Sequence, residues 1–156
     1  KNLNQYKMSQ LRPYNIVVEL FQTACNQHEY VNAFATGGID YLDSSSQNIK
    51  YPYVFLRPMP SPGLIENVRT LTFEMYTLDV PTLKNQSPVD LMTRMEQVSY
   101  DIGAFFNRGV YQQTIQYQMI DMVPINEAFN DRVYGWMANI NIIEQGYWNF
   151  CDFPKT

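Results

Sequence analysis

Apolar positions along the chain fall into seven periodic stretches separated by polar breaks. After Pro13, the residues Tyr14, Val17, Phe21 and Ala24 recur at three- and four-residue steps, with Val18, Leu20 and Cys25 widening the stripe. Glu19, Gln22 and Asn26 occupy the other side. This is the period of an amphipathic helix, and a proline suits its first turn because an N–H is not needed there. The pattern predicts a helix from about Pro13 to about Gln27. Residues 30–36 are short and rich in aromatic and β-branched side chains, which predicts a strand stopped by Gly37-Gly38. Residues 39–50, with Ser44-Ser45-Ser46, have no period and read as an exposed loop. Residues 51–56 read as a compact apolar strand with Pro52 near its start, and Pro58, Pro60, Pro62 and Gly63 predict a second loop.

The second half is patterned more sharply. Residues 68–80 alternate Leu71, Phe73 and Met75 against Thr70, Thr72, Glu74 and Tyr76, the period of a half-buried strand. Ser87 is placed to cap a helix, Pro88 sits in its first turn and Asp90 completes the capping signal. Leu91, Met95, Val98, Ile102 and Phe105 form its stripe, and Gly109 is expected just beyond its end. Residues 114–123 alternate again, residues 124–131 read as a loop, and 132–143 read as a last strand. Both sides of that strand are largely apolar (Tyr134, Trp136, Ala138 and Ile140 against Val133, Met137 and Ile143), which predicts a central position. The order α-β-β-β-α-β-β predicts an α+β fold, with one mostly antiparallel sheet and two helices packed on one face. Residues 1–10 are expected to be a flexible polar arm, 11–146 a single domain, and 147–156 an aromatic tail.

Composition narrows the function classes. The 156 residues suit one domain. Only 17% are charged, below the usual ~25%, while Asn and Gln number 26 and aromatics reach 15%. Amides and tyrosines in place of charges suit an interface. The net charge is −4 and there is no basic cluster, so no phosphate-binding footprint stands out. A single histidine excludes multi-histidine metal sites, and Cys25 and Cys151 read as two reduced thiols. No apolar run approaches the ~20 residues of a membrane span. The expectation is a soluble chain, intracellular or internal to a virion, with no cofactor, no metal and no membrane partner.

Catalytic constellations are incomplete. Cys25 and His28 lie three residues apart near the end of the first helix, with no third group evident to orient the imidazole. They are also only half a metal site, which Cys151 cannot complete. Asp40 and Asp43, and Glu127, Asn130 and Asp131, form loop clusters that match no calcium loop. Ser99 lacks a strained glycine elbow, and Gly37-Gly38 lacks the lysine and helix of a phosphate loop. Asp79 and Asp121 sit near expected strand ends, where turn formation before Pro81 and Pro124 accounts for them. The chain is therefore expected not to be an enzyme. Interaction chemistry remains. Tyr147, Trp148, Phe150 and Phe153 form an aromatic cluster that either folds back on its own core or docks on a neighbour. Gln112, Gln113, Gln116 and Gln118 either form a solvated strand face or line a sheet edge that pairs between subunits.

The order of these segments carries a resemblance. A leading helix is followed by Thr36-Gly37-Gly38-Ile39-Asp40-Tyr41-Leu42-Asp43, then by Tyr51-Pro52-Tyr53-Val54-Phe55-Leu56. The long strand Leu71-Thr72-Phe73-Glu74-Met75-Tyr76-Thr77-Leu78-Asp79 comes next, then a helix, and late in the chain Asp131-Arg132-Val133-Tyr134-Gly135-Trp136. Over residues 12–146 this resembles the tail-terminator and tail-completion proteins of tailed bacteriophages. The resemblance implies a non-enzymatic ring protein, typically a hexamer, at the head–tail junction or neck of the virion, assembled in the host cytoplasm. Such a ring caps the tail tube and lines a channel through which DNA passes without specific binding. Its implied partners are further copies of itself, the connector or stopper on one side, and tail-tube or sheath proteins on the other. Tyr147, Trp148, Phe150, Phe153, Gln116 and Gln118 are then candidate inter-subunit contacts. Asp40, Asp43, Pro60 and Pro62 mark candidate axial-contact loops. The proline-rich stretch 58–63 and the aromatic tail have no counterpart in the family pattern. The alternatives are another tail or baseplate adaptor ring of the same fold, or a small monomeric ligand-binding domain or enzyme using His28, Cys25, Asp121 and Asp131.

Overall fold

A computed structural model describes residues 10–38, 49–83, 86–128 and 132–147. The first helix, α1, spans Tyr14–Gln27 and buries Val17, Leu20, Phe21, Ala24 and Cys25, close to the stripe its period predicts. The strands are β1 (Ala33–Thr36), β2 (Tyr53–Ile65), β3 (Val68–Asp79), β4 (Ile115–Ala128) and β5 (Val133–Gln145). Between β3 and β4 lie α2 (Pro88–Phe106) and a short α3 (Gly109–Thr114). The five strands form one sheet in the order β1-β2-β3-β5-β4, antiparallel except for β1 against β2. The fold is α+β, and β5 is an interior strand, as its two apolar sides predict.

Alternate residues of the same strands serve two surfaces. Val54 and Leu56 of β2, Phe73 and Met75 of β3, and Ala138, Ile140 and Ile142 of β5 point to the helices. There they meet Phe21 of α1 and Met95, Val98, Ile102 and Phe106 of α2. Phe21 is the hub, with ring centroids 5.5 Å from Phe73 and 4.8 Å from Phe106. The other face is helix-free among the described residues. At one end it gathers Tyr53, Phe55, Tyr76, Leu78 and Val133 into a smaller cluster. Elsewhere it is a polar ladder, in which Arg57 Nη1 and Tyr76 Oη donate to Glu74 at 3.1 and 2.8 Å. Thr72 Oγ1 donates to Asn141 Oδ1 at 2.9 Å, and Asn139 Nδ2 donates to Asp121 Oδ1.

Four expectations are corrected. The strand expected at 30–36 is reduced to Ala33–Thr36, because Val31 and Tyr30 belong to the turn that leaves α1. The proline-rich stretch 58–63 is the outer half of β2, not a loop. β1 pairs with β2 only at Tyr53–Leu56, so beyond Leu56 that edge of β2 needs no donors. The carbonyls of Pro52 and Leu56 face the β1 side, accepting from Asn32 and Gly37. By alternation Pro58 faces outward too, where a missing N–H costs no ladder bond. The register slips between Met59 and Gly63, and Ser61 Oγ accepts from Thr72 N there at 2.9 Å. Pro124 likewise lies within β4, which runs on to Ala128 on the other margin of the sheet. Finally, the two expected helices are three: Gly109 lies just beyond the end of α2, as expected, but opens the short α3, and at φ 53° it makes the left-handed turn between them.

Two local features fix a helix end and a strand approach. Ser87 caps α2, its hydroxyl accepting from Val89 N at 3.2 Å. Gly135 lets β5 approach β3, since a Cβ there would lie 1.8 Å from the Thr77 carbonyl oxygen. Its neighbour Trp136 uses its indole N–H to donate to the Met92 carbonyl at 2.8 Å, tying β5 to α2.

Candidate functional site

Cys25 and His28 leave the end of α1 in different directions. Cys25 is fully buried, and burial pushes its thiol up to about 12, so it is protonated near neutral pH and a poor nucleophile. His28, just past the helix, turns to α2. Its Nδ1 accepts from Tyr30 N at 3.2 Å, and its Nε2 lies 2.9 Å from Asp101 Oδ2. With Nδ1 accepting, Nε2 is the nitrogen that donates to the carboxylate. Asp101 also accepts from Gln97 Nε2 at 2.8 Å. Partial burial acts to raise the Asp101 carboxyl, but the bonds from His28 and Gln97, with Arg108 nearby, together hold it below its ordinary value. Tyr30 lies under the Arg94 guanidinium at 5.6 Å. His28, Tyr30, Asp101 and Arg108 border an open cleft of about 410 Å³. Both imidazole nitrogens are engaged, so what this arrangement does chemically is clamp the end of α1 to α2.

The acids and serine singled out by position are also engaged. Asp79 is buried, which raises its carboxyl, and its Oδ1 accepts from Val80 N at 2.8 Å. Asp121 is held by Asn139 on the open face. Ser99 lies 2.9 Å from Thr77 Oγ1 and donates to the Met95 carbonyl at 3.1 Å, a satisfied buried pair between α2 and β3. Among the described residues no three His, Cys, Asp or Glu side chains gather as a metal site. No helix among them is long and apolar enough to cross a membrane. Asn130 and Asp131 lie outside the described residues.

Of the candidate contact residues, Trp148, Phe150, Phe153, Asp40 and Asp43 lie outside the described residues. Tyr147 lies within them. Its carbonyl accepts from Leu11 N at 3.0 Å, so the start and the end of the domain run side by side, and its ring is 43% exposed. Gly146 N donates to the Asn67 carbonyl at 2.9 Å, which places Tyr147 beside the β2–β3 turn. Gln116 lies at the same end of the sheet, where it lines a cleft of about 320 Å³ with Gln112, Gln113, Gln145, Val68 and Ile143. Gln118 follows it along β4, half-buried. Pro60 and Pro62 are exposed on the opposite margin, in the register slip of β2.

Two features were not foreseen. The first is the exposed apolar tip of the β2–β3 hairpin, Leu64, Ile65 and Val68, around a two-residue turn. Both turn residues, Glu66 and Asn67, are left-handed, at φ 49° and 64°, the form that matches strand twist. The second is a buried charge cluster. Glu144, 1% exposed, accepts from Arg12 N at 2.7 Å and from Arg12 Nη1 at 3.0 Å; Arg12 Nη2 continues to Thr114 Oγ1 at 2.9 Å. Arg69, opposite Glu144 in register, comes only to 4.0 Å. Burial lowers its pKa, and its Nε and Nη2 have no hydrogen-bond partner among the described residues. A sequence signal existed for both charges. Glu144 keeps the inward phase of Ala138, Ile140 and Ile142, and Arg69 that of Leu71, Phe73 and Met75.

No protein-family model matches this chain, and no curated protein matches it.

Proposed function

We propose that this chain is a structural ring protein of a tailed-phage virion, a tail terminator or tail-completion protein at the head–tail junction, acting by assembly and not by catalysis. The observation that carries the reading is the helix-free sheet face with its unpaired margins. β4 runs for 14 residues with β5 on one side and no strand on the other among the described residues. Ile65, Val68, Ile120, Val123 and Tyr147 are exposed on this part of the molecule. A monomer leaves such margins and aliphatics in water, and a repeated contact that closes on itself buries them. The described segments behind the family resemblance, residues 53–56, 71–79 and 133–136, support the same reading, because they lie in the sheet. Glu74 and Asp121 are the acids of the open face, and Arg57 there is engaged by Glu74, so a channel wall of this chemistry would not hold passing phosphates.

The test is the mass of the purified chain across a concentration series, by light scattering after size exclusion. A discrete closed ring, hexameric in the family the chain resembles, is the expected result. A monomer at every concentration, alone and with tail-tube protein, would overturn the reading. A different ring that binds baseplate but not tail-tube protein would move the chain to an adaptor position.

A further inference from the structure

The Arg12–Glu144–Arg69 cluster is electrostatically incomplete. One carboxylate faces two guanidinium groups, and Arg12 takes both of its oxygens, Oε1 through its backbone N–H and Oε2 through Nη1, while Arg12 Nη2 goes to Thr114. The start of α1 lies at the same place. Its cap residue is Pro13, without a side-chain hydrogen bond, and its first turn holds no acid, so Glu144 also faces the positive end of the helix. Arg69 is nine-tenths buried with Nε and Nη2 unpartnered. Among the described side chains the Tyr117 hydroxyl shares that condition, but it is a neutral group in an aromatic stack with Phe106. A guanidinium with unsatisfied N–H groups, 4.0 Å from its nearest carboxylate, is far more costly to bury. In a chain of net charge −4, this corner is a local excess of positive charge.

The cover over Arg69 is thin on the β2 side. Its register partner there is Leu64, 48% exposed, and the ladder above that pair is opened by the slip between Met59 and Gly63. Pro60, Ser61 and Pro62 of the slip are exposed. We infer that Arg69 is a socket for a carboxylate side chain of a second copy of this chain, entering past Leu64 beside the proline-bearing slip of β2. This rests on the ring reading for its occupant and names the chemistry of one inter-subunit contact. The acid would receive the parallel Nε and Nη2 donors, the geometry a guanidinium offers a carboxylate. Arg69 is then kept at a cost to the isolated subunit that the assembled one recovers.

Arg69→Met in the full chain separates this from a structural role. At dilution, Arg69→Met is expected to melt higher than wild type by about 2–5 °C, because a buried guanidinium with unsatisfied donors is removed. Sodium acetate, compared with sodium chloride at equal ionic strength, should raise the wild-type Tm and leave Arg69→Met unmoved. In the concentration series, Arg69→Met should need at least about tenfold more protein to associate, a difference of about 1.4 kcal/mol. A lower Tm for Arg69→Met, or an acetate response equal in the two proteins, overturns the socket. Association equal to wild type overturns the second copy as its occupant. A wild type that never associates ends the ring reading and that occupant together, while the acetate arm still decides whether a carboxylate socket exists.

Discussion

The two faces of the sheet are built from alternate residues of the same strands, yet they behave differently. Toward the helices, Phe73, Met75, Ile140 and Ile142 meet Phe21 and Phe106, the buried Thr77–Ser99 pair is satisfied, and buried charge gathers at the corner of Glu144 and Arg69. On the other face, an aromatic cluster occupies one end and hydrogen-bonded side-chain ladders and exposed aliphatics the rest. The first face supplies stability through packing. The second has hydroxyls and amides that hold one another and aliphatics that hold nothing, a composition suited to contact with another surface. The lesson is that burial alone does not separate the faces; the partners of the polar groups do.

The sharpest way to break the comparison is at the seam both faces share. Gly135→Ala puts a Cβ into the Thr77 carbonyl, 1.8 Å away, and should abolish the folded state, read as loss of a cooperative transition in circular dichroism. On the helix side, Phe21→Ala should cost about 3–5 kcal/mol in chemical denaturation, because its contacts to Phe73 and Phe106 leave a cavity. At the margin of that side, His28→Ala should cost about 1 kcal/mol through the lost bond to Asp101. A loss above about 3 kcal/mol there would mean the clamp organises the α1–α2 contact rather than trimming it.

A smaller effect has a defined sign. The Asp79 carboxyl is raised above its ordinary 3.8 by burial, so the folded chain holds that proton more tightly than the unfolded chain. Its contribution is therefore fully present below about pH 4 and declines as pH rises through the folded value. Asp79→Asn should flatten that part of the stability–pH curve, measured by melting in a buffer series. The smallest expected change in stability is on the open face. Ile120→Ser, at a residue 59% exposed, should move unfolding by no more than about 0.5 kcal/mol while weakening association in the concentration series. Weakened association without lost stability is what distinguishes a contact face from a core face.

Most elements were legible because their periods are strong. The stripe from Val17 to Cys25 and the capped stripe from Leu91 to Ile102 predict α1 and α2 nearly to the residue. The alternation around Phe73 predicts β3, and the doubly apolar run around Ala138 predicts the interior place of β5. Prolines misled at 58–62 and at 124, because a proline forbids only those ladder bonds that a strand needs, and margin strands leave one side free. The candidate site was less legible. His28 lies three residues from Cys25, but its partner is Asp101, 73 residues away.

By itself, then, the order of residues determined the elements, the α+β class and which side of each strand is apolar, since these depend on spacing within a few residues. It also determined the low charge and the excess of amides. Only the tertiary structure decided that β4 lies at a margin, and that Tyr147 sits beside the turn at Asn67. It alone decided that Glu144 satisfies Arg12 while leaving Arg69 at 4.0 Å. The physical reason is that hydrogen-bond satisfaction and charge balance are set by groups that meet across the sheet. Residue 12 meets residue 144 only once every strand between them has taken its place.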